Sequence, residues 1–371
     1  PWSVYTQEVK DSIAEYGDAV IVTISRIGGE GADAKGAKAD EPNYLALDQN
    51  EKDMLAGAAQ LKKDGKVKSI VLLINTSNAL QVEFLKNNEY EIDAVMWIGG
   101  VGAYGTNAVT DILAGKVNPS GSLVDTYCFD NFSAPAMKNA VPVTYGGYDG
   151  KNIPNYAETY LIYQEGIYVG YKYYETRYED YVMGTGNAGN YAYSDDVAFP
   201  FGYGLSYTNF TYSDMQVVYN QETDQFEVSV TVTNNGEVEG KETVQIYAQS
   251  PYTQYDKDNK VEKAAVQLIG FEKTEMLKPG ASETVKIFVE KRDLAAYDAY
   301  GAKTYILDAG DYYLTAATDA HNAVNNILAA KGYTPESTEG RMDAAGASAL
   351  TYKYTQAEFD SKTYATSANG T

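Results

Sequence analysis

Cysteine and histidine are almost absent from this sequence: 371 residues hold one of each, Cys128 and His321. A single cysteine excludes an internal disulfide framework and leaves the redox compartment open. A single histidine means that any histidine-based triad or multi-histidine metal site would rest on His321 alone. Positive charge is scarce as well, with 29 Lys and Arg against 51 Asp and Glu and a net charge of −22. That field disfavours nucleic acid and anionic membranes as partners, and it makes a polyanionic cofactor awkward unless a local site overrides it. No apolar run approaches the ~20 residues needed to span a bilayer. Pro1-Trp2-Ser3 shows neither an initiator Met nor a signal peptide, so a fragment or processed chain is expected, soluble and either cytoplasmic or secreted.

Tyrosine is abundant instead, 35 residues against 10 Phe and 2 Trp. Such amphipathic aromatic surface suits sugar contact or a wet interface, and equally a lineage that places Tyr on strand surfaces. At this length two or three domains with their own cores are expected.

The first part of the chain alternates helix and strand. Tyr5 to Tyr16 has helical spacing, and Ala19 to Ile24 reads as a buried strand. Asp48 is placed to cap a helix running through Leu61. Ser69 to Asn75 and Asp93 to Ile98 are further strands, and Leu80 to Asn87 reads as a helix between them. A second helix carries Ala108, Ile112 and Leu113 and stops at Gly115; the turn Asn118-Pro119-Ser120-Gly121 then leads into a strand over 122–127. This is the grammar of an α/β fold with a mostly parallel sheet. Residues 131–208 are less regular, and the Tyr- and Glu-rich run over 156–180 matches neither period. From Asn209 short strands recur: Phe226 to Thr233, Thr243 to Ala248, Val266 to Phe271, Glu283 to Val289 and Asp311 to Ala317. They read as an all-β, immunoglobulin-like sandwich. Asn322 to Ala330 suits a short helix, and the polar tail suits a linker or an arm.

Two readings of the stretch from Asp93 to Tyr127 compete. Gly100-x-Gly102-x-x-Gly105, after a strand and before a helix and with Asp125 downstream, fits a dinucleotide-binding fingerprint and hence an NAD(P)-dependent oxidoreductase. The other reading takes the whole phrase through the Asn118-Pro119-Ser120-Gly121 turn. It then stands beside three more phrases in fixed order: Ser25-Arg26-x-x-Gly29-Glu30-Gly31-x-Asp33, Glu165-Gly166-Ile167-Tyr168-Val169-Gly170-Tyr171-Lys172-Tyr173-Tyr174, and Phe201-Gly202-Tyr203-Gly204-Leu205-Ser206-Tyr207-Thr208.

Together these four phrases resemble glycoside hydrolase family 3 over roughly residues 5 to 320. The resemblance implies an α/β sandwich domain at 1–130, a Tyr-rich connecting segment at 131–208 packed on it, and a fibronectin type III-like β-sandwich at 209–320. Residues 321–371 become a linker or tail, leading to or lying on a barrel domain. In that family a TIM-like barrel supplies an aspartate nucleophile and most sugar contacts, and no run of eight strand–helix units occurs here. The resemblance therefore implies the non-barrel part of a retaining β-glycosidase, with β-glucosidase as the leading reading and a β-linked glycoside as substrate. The barrel would be a separate domain or chain. A non-catalytic carbohydrate-binding or scaffold protein is the alternative. No cofactor and no metal are implied.

Carried over, the family's general acid/base falls on Glu30. A retaining glycosidase needs two carboxyl groups, one to attack the anomeric carbon and one to protonate the leaving oxygen. Flanking glycines let a loop carry a carboxyl into a crowded cleft. Arg26 and Asp33 are candidate substrate contacts, with a structural ion pair the alternative for Arg26 and a backbone cap the alternative for Asp33. Members often place an aromatic and an arginine around that Asp, where this chain has Ala32 and Ala34. Cys128 reads as a small buried apolar residue and His321 as a surface or interface residue.

Overall fold

A computed structural model describes residues 6–13, 15–28, 43–138, 143–144, 159–160 and 166–366. The chain divides into two compact units. The first takes in 1–114, 126–164 and 194–199; the second takes in 115–125, 165–193 and 200–371.

The first unit is built on a parallel three-stranded sheet, with β1 (Ala19–Ser25), β2 (Ser69–Asn75) and β3 (Ala94–Trp97) in that order. The central strand, Ser-Ile-Val-Leu-Leu-Ile-Asn, is apolar on both faces because it is enclosed on both, and Ile70 and Leu72 are fully buried. Helix α1 (Gln7–Ser12) is short, capped by Thr6 and without a buried residue. Helix α2 (Gln49–Lys63) crosses from β1 to β2 and buries Leu55, Ala58, Ala59 and Leu61. It starts in a reciprocal box, in which Asp48 Oδ1 accepts the Glu51 N–H and Glu51 Oε2 accepts the Asp48 N–H, both at 2.9 Å. Helix α3 (Thr106–Leu113) follows β3, and Gly115 takes the positive φ of +69° just past its end.

The expected helix over 80–87 is not formed. Only Glu83–Leu85 make a 3-10 turn, and Leu80, Val82 and Phe84 are buried at alternate positions. Residues 80–82 precede that turn without regular secondary structure, and the alternating burial is not the helical period. The expected strand over 122–127 shrinks to Tyr127–Cys128, paired with Val197–Phe199.

The second unit holds the β-sandwich. One sheet orders β7 (Gln267–Lys273), β6 (Thr243–Gln249), β9 (Gly310–Ala317) and β10 (Thr351–Gln356); the other orders β8 (Ser282–Glu290), β5 (Gln225–Asn234) and β4 (Phe210–Asn220). Alternation in β5 sends Phe226, Val228, Val230 and Val232 into the core and its Ser and Thr residues outward. Strand β10 lies in the tail expected to be a linker or arm; it pairs antiparallel with β9, and Tyr364 beyond it packs on the core. Two helices belong to this unit, α4 (Tyr171–Met183) and α6 (Ala320–Ala330), besides the short α5 (Gln254–Asn259). Helix α4 overlaps the end of the Tyr- and Glu-rich run that matches neither period in the sequence. It buries Tyr174, Glu175, Tyr178 and Val182, one stripe at helical spacing, and ends at Gly184 with φ +67°.

Candidate functional site

Ligand sites in open parallel sheets lie at the carboxyl ends of the strands, and there β1 delivers Arg26. Its side chain is 7% exposed and that of its partner Glu51 16%. Every N–H of the guanidinium has an acceptor. Nη1 donates to Glu51 Oε1 at 2.6 Å and to the Ser25 carbonyl at 2.8 Å. Nη2 donates to Glu51 Oε2 and to the Ala46 carbonyl, both at 2.7 Å. Nε donates to the Tyr44 carbonyl. The Glu51 carboxylate beside it raises the Arg26 pKa still further above its usual value against the opposing effect of burial. Arg26 is thus saturated by protein acceptors.

The acceptors have a pattern. Ser25 precedes the segment 29–42, and Tyr44 and Ala46 follow it, so one guanidinium ties both of its stems. Tyr44 adds a second tie, its hydroxyl accepting the Ile27 N–H at 2.9 Å and donating to the Ile27 carbonyl at 3.1 Å. Glu51 shares Oε2 between Arg26 and the α2 cap, which links these stems to the helix start. Glu30 and Asp33, the other two predicted site residues, lie outside the described residues.

The glycine-rich turn after β3 is explained locally. Gly99 and Gly102 take φ of +55° and +61°. A Cβ on Gly105 would sit 2.3 Å from the Val101 carbonyl oxygen, to which the Gly105 N–H donates at 3.0 Å. Asn75 at the end of β2 donates its side-chain amide to the Gly99 carbonyl, closing the turn onto the sheet. Cys128 is buried, as expected of it. Among the described residues no group of three or more His, Cys, Asp and Glu is placed to hold a metal ion.

In the second unit, two phrases form one knot, with Asn118 and Ser206 88 residues apart in the sequence. Asn118 Oδ1 accepts from Ser206 Oγ at 2.9 Å and from the Tyr207 N–H at 2.8 Å, while its Nδ2 donates to the Glu239 carbonyl at 3.0 Å. Leu123 exchanges backbone bonds of 2.8 Å with Gly202 and Tyr203. A Cβ on Gly204 would lie 2.4 Å from the Gly121 carbonyl oxygen.

The same unit contains a cluster that sequence reasoning missed. His321, expected at a surface or an interface, is enclosed between two carboxylates, its Nδ1 2.9 Å from Glu175 Oε2 and its Nε2 2.9 Å from Asp343 Oδ2. Glu175 is fully buried and accepts the Tyr193 hydroxyl at 2.5 Å; the Tyr193 ring stacks on His321 with centroids 3.8 Å apart. Burial alone would push His321 down, but Glu175 and then Asp343 outweigh it and hold the imidazole up at about 10. Burial likewise acts to raise Asp343, and the facing imidazolium brings it down to about 2. For Glu175 burial wins and raises its pKa against the pull of His321. The cluster joins α4, α6 and residue 343 through polar groups that satisfy one another, which makes it a structural lock.

Comparison with known proteins fixes the family. Residues 5–171 match the Glycosyl hydrolase family 3 C-terminal domain, and residues 242–320 match the Fibronectin type III-like domain. The chain belongs to glycoside hydrolase family 3. A β-glucosidase of Ruminococcus albus is 32% identical over 331 residues, covering 87% of this chain and 30% of the relative. β-Glucosidase A of Butyrivibrio fibrisolvens is 32% identical over 346 residues, 85% of this chain and 38% of the relative. Among solved structures, β-glucosidase 3B from Thermotoga neapolitana in complex with α-D-glucose aligns with a TM-score of 0.67 at 25% identity, over 96% of this chain and 40% of that one. A β-glucosidase from Paenibacillus barengoltzii aligns with a TM-score of 0.66 at 30% identity, over 85% of this chain and 30% of that one. This family 3 chain thus spans between 30% and 40% of the length of these relatives. The family match includes Gly100 to Gly105 and takes the place of the dinucleotide reading.

Proposed function

We propose that this chain is the non-barrel part of a retaining β-glucosidase and supplies Glu30 as general acid/base to a site completed by a TIM-like barrel bearing the aspartate nucleophile. The observation that carries the reading is the Arg26 tie. It gives the segment 29–42 fixed stems at the carboxyl end of β1, which is what a loop must have to present a carboxyl reproducibly to another domain. The names of the relatives support glucoside as the sugar class.

In this mechanism the barrel's aspartate attacks the anomeric carbon while protonated Glu30 gives its proton to the departing oxygen. Glu30, now a carboxylate, then takes a proton from the water that releases the sugar. Asp33 is proposed as a contact on the leaving-group side, and Arg26 as a positioning residue acting through the stems.

The test compares natural and activated β-glucosides in the assembly of this chain with its barrel. Glu30→Gln should lower turnover of cellobiose by about 10²–10⁴-fold, the usual worth of general acid catalysis. An aryl glucoside whose phenol leaves without protonation should still release its first equivalent of phenol at near wild-type rate. Equal loss on both substrates would remove Glu30 from the acid role, and robust turnover by the isolated chain would sink the split site.

A further inference from the structure

A second buried charge cluster, in the sandwich unit, takes no part in the chemistry above. The side chain of Lys263 is 5% exposed, that of Asp308 2% and that of Asp256 0%. Lys263 Nζ donates to Asp308 Oδ2 at 2.5 Å, to Asp256 Oδ2 at 2.8 Å and to the Pro251 carbonyl at 2.8 Å. Thr253 connects the two acids, its hydroxyl lying 3.0 Å from Asp308 Oδ1 and 3.1 Å from Asp256 Oδ2, with one proton to share. Its backbone N–H donates to Asp256 Oδ2 at 2.6 Å. The second Asp256 oxygen, Oδ1, is buried without a hydrogen-bond partner among the described residues.

One ammonium facing two carboxylates leaves one negative charge uncompensated where water does not reach, an expensive arrangement for an ion pair kept for stability alone. The three groups have the roles of an acyl condensation instead. There is an amine, a carboxyl group held against it, and a second carboxylate on the same amine to carry protons. Holding the reactants at contact removes the entropic part of the barrier.

We propose that Lys263 and Asp308 join in an intramolecular isopeptide bond, with Asp256 as the proton carrier. A proton passes from Nζ to Asp308 Oδ2 along the 2.5 Å contact, giving a neutral amine and a neutral acid. The nitrogen lone pair attacks Cγ, the new N–C bond forms, and the carbonyl electron pair moves onto Oδ1 under the Thr253 hydroxyl. Asp256 takes one proton from the nitrogen and gives it to the Oδ2 hydroxyl, which leaves as water as the carbonyl re-forms. The ion pair becomes an amide, one water is lost, and Asp256 ends as it began. The bond would tie the approach to β7 to the approach to β9 across 45 residues, a cross-link that stabilises by restricting the unfolded chain.

The experiment is the intact mass of the 371-residue chain after denaturation and reduction, followed by a tryptic map. The wild type should be lighter than its sequence by one water, and residues 261–273 should appear joined to residues 304–331 because trypsin cannot cleave at Lys263. Lys263→Arg keeps a cation between the acids and should show the full mass. Asp256→Asn should also show the full mass while retaining a cooperative thermal transition, since both joined residues are still present. Full mass in the folded wild type overturns the proposal. So does a water loss with cleavage after Lys263 intact, which is a succinimide at an aspartate and not a cross-link.

Discussion

The five donors of Arg26 show how one side chain decides whether a neighbour is placed. Arg26→Met would leave the half-buried Glu51 carboxylate beside three carbonyls that have lost their donor. Removing one partner of a fully buried pair costs about 3–5 kcal/mol, which is the upper bound for this half-buried one and is measurable as a lower urea midpoint of the chain. Arg26→Lys should recover only part of it, because an ammonium has three donors for five acceptor positions. His321 makes a prediction in pH. Its value is raised from the ordinary 6.5 to about 10 in the fold, so its contribution is complete below pH 6.5 and fades as pH rises through 10. Urea midpoints should therefore fall between those limits in the wild type, and His321→Gln should be less stable at pH 6.5 with a flatter profile above it. At this scale the Arg26 ion pair was legible as one of the two readings of a strand-end arginine. Glu175 was not, for its partner is 146 residues away and nothing local distinguishes it from other carboxylates in a Tyr-rich run.

Elements were legible where burial and period agree. The run from Ser69 to Asn75 and the alternation of Phe226 to Val232 read directly as a doubly enclosed strand and a half-enclosed one. Helix α4 was hidden because its buried stripe is written in Tyr and Glu in place of Leu. The 80–87 segment misled in the opposite sense, since Leu80, Val82 and Phe84 with polar residues between them satisfy a loose helical reading until the alternation is given weight. The knot between 118–123 and 202–207 could be read only as two separate phrases. Gly204 tests it. It does not need a positive φ, so Gly204→Ala strains the close approach to the Gly121 carbonyl and not the backbone at 204. We expect a loss of about 1–3 kcal/mol, the usual cost of overpacking. At Gly332, φ is +91° with open space around the missing Cβ, so Gly332→Ala should be destabilising through backbone strain alone.

At the level of the whole molecule, neither compact unit is continuous along the chain. Residues 115–125 and 165–193 fold with the sandwich, so the chain passes between units several times. A fragment of residues 200–371 would keep the strands but leave His321 without Glu175 and α6 without α4. It should unfold at lower urea than the full chain and lose cooperativity, and co-expression with 1–199 should restore it. The tie at Arg26 has a different consequence at this level. These anchors of the segment 29–42 lie outside it, in Ser25, Tyr44, Ala46 and Glu51, so these bonds do not depend on what stands between them. Lengthening a loop twofold costs only about 0.6 kcal/mol of closure entropy. Exchanging residues 34–42 while Glu30 and Asp33 are kept should therefore leave the urea midpoint of the chain nearly unchanged, because the stems keep their own ties.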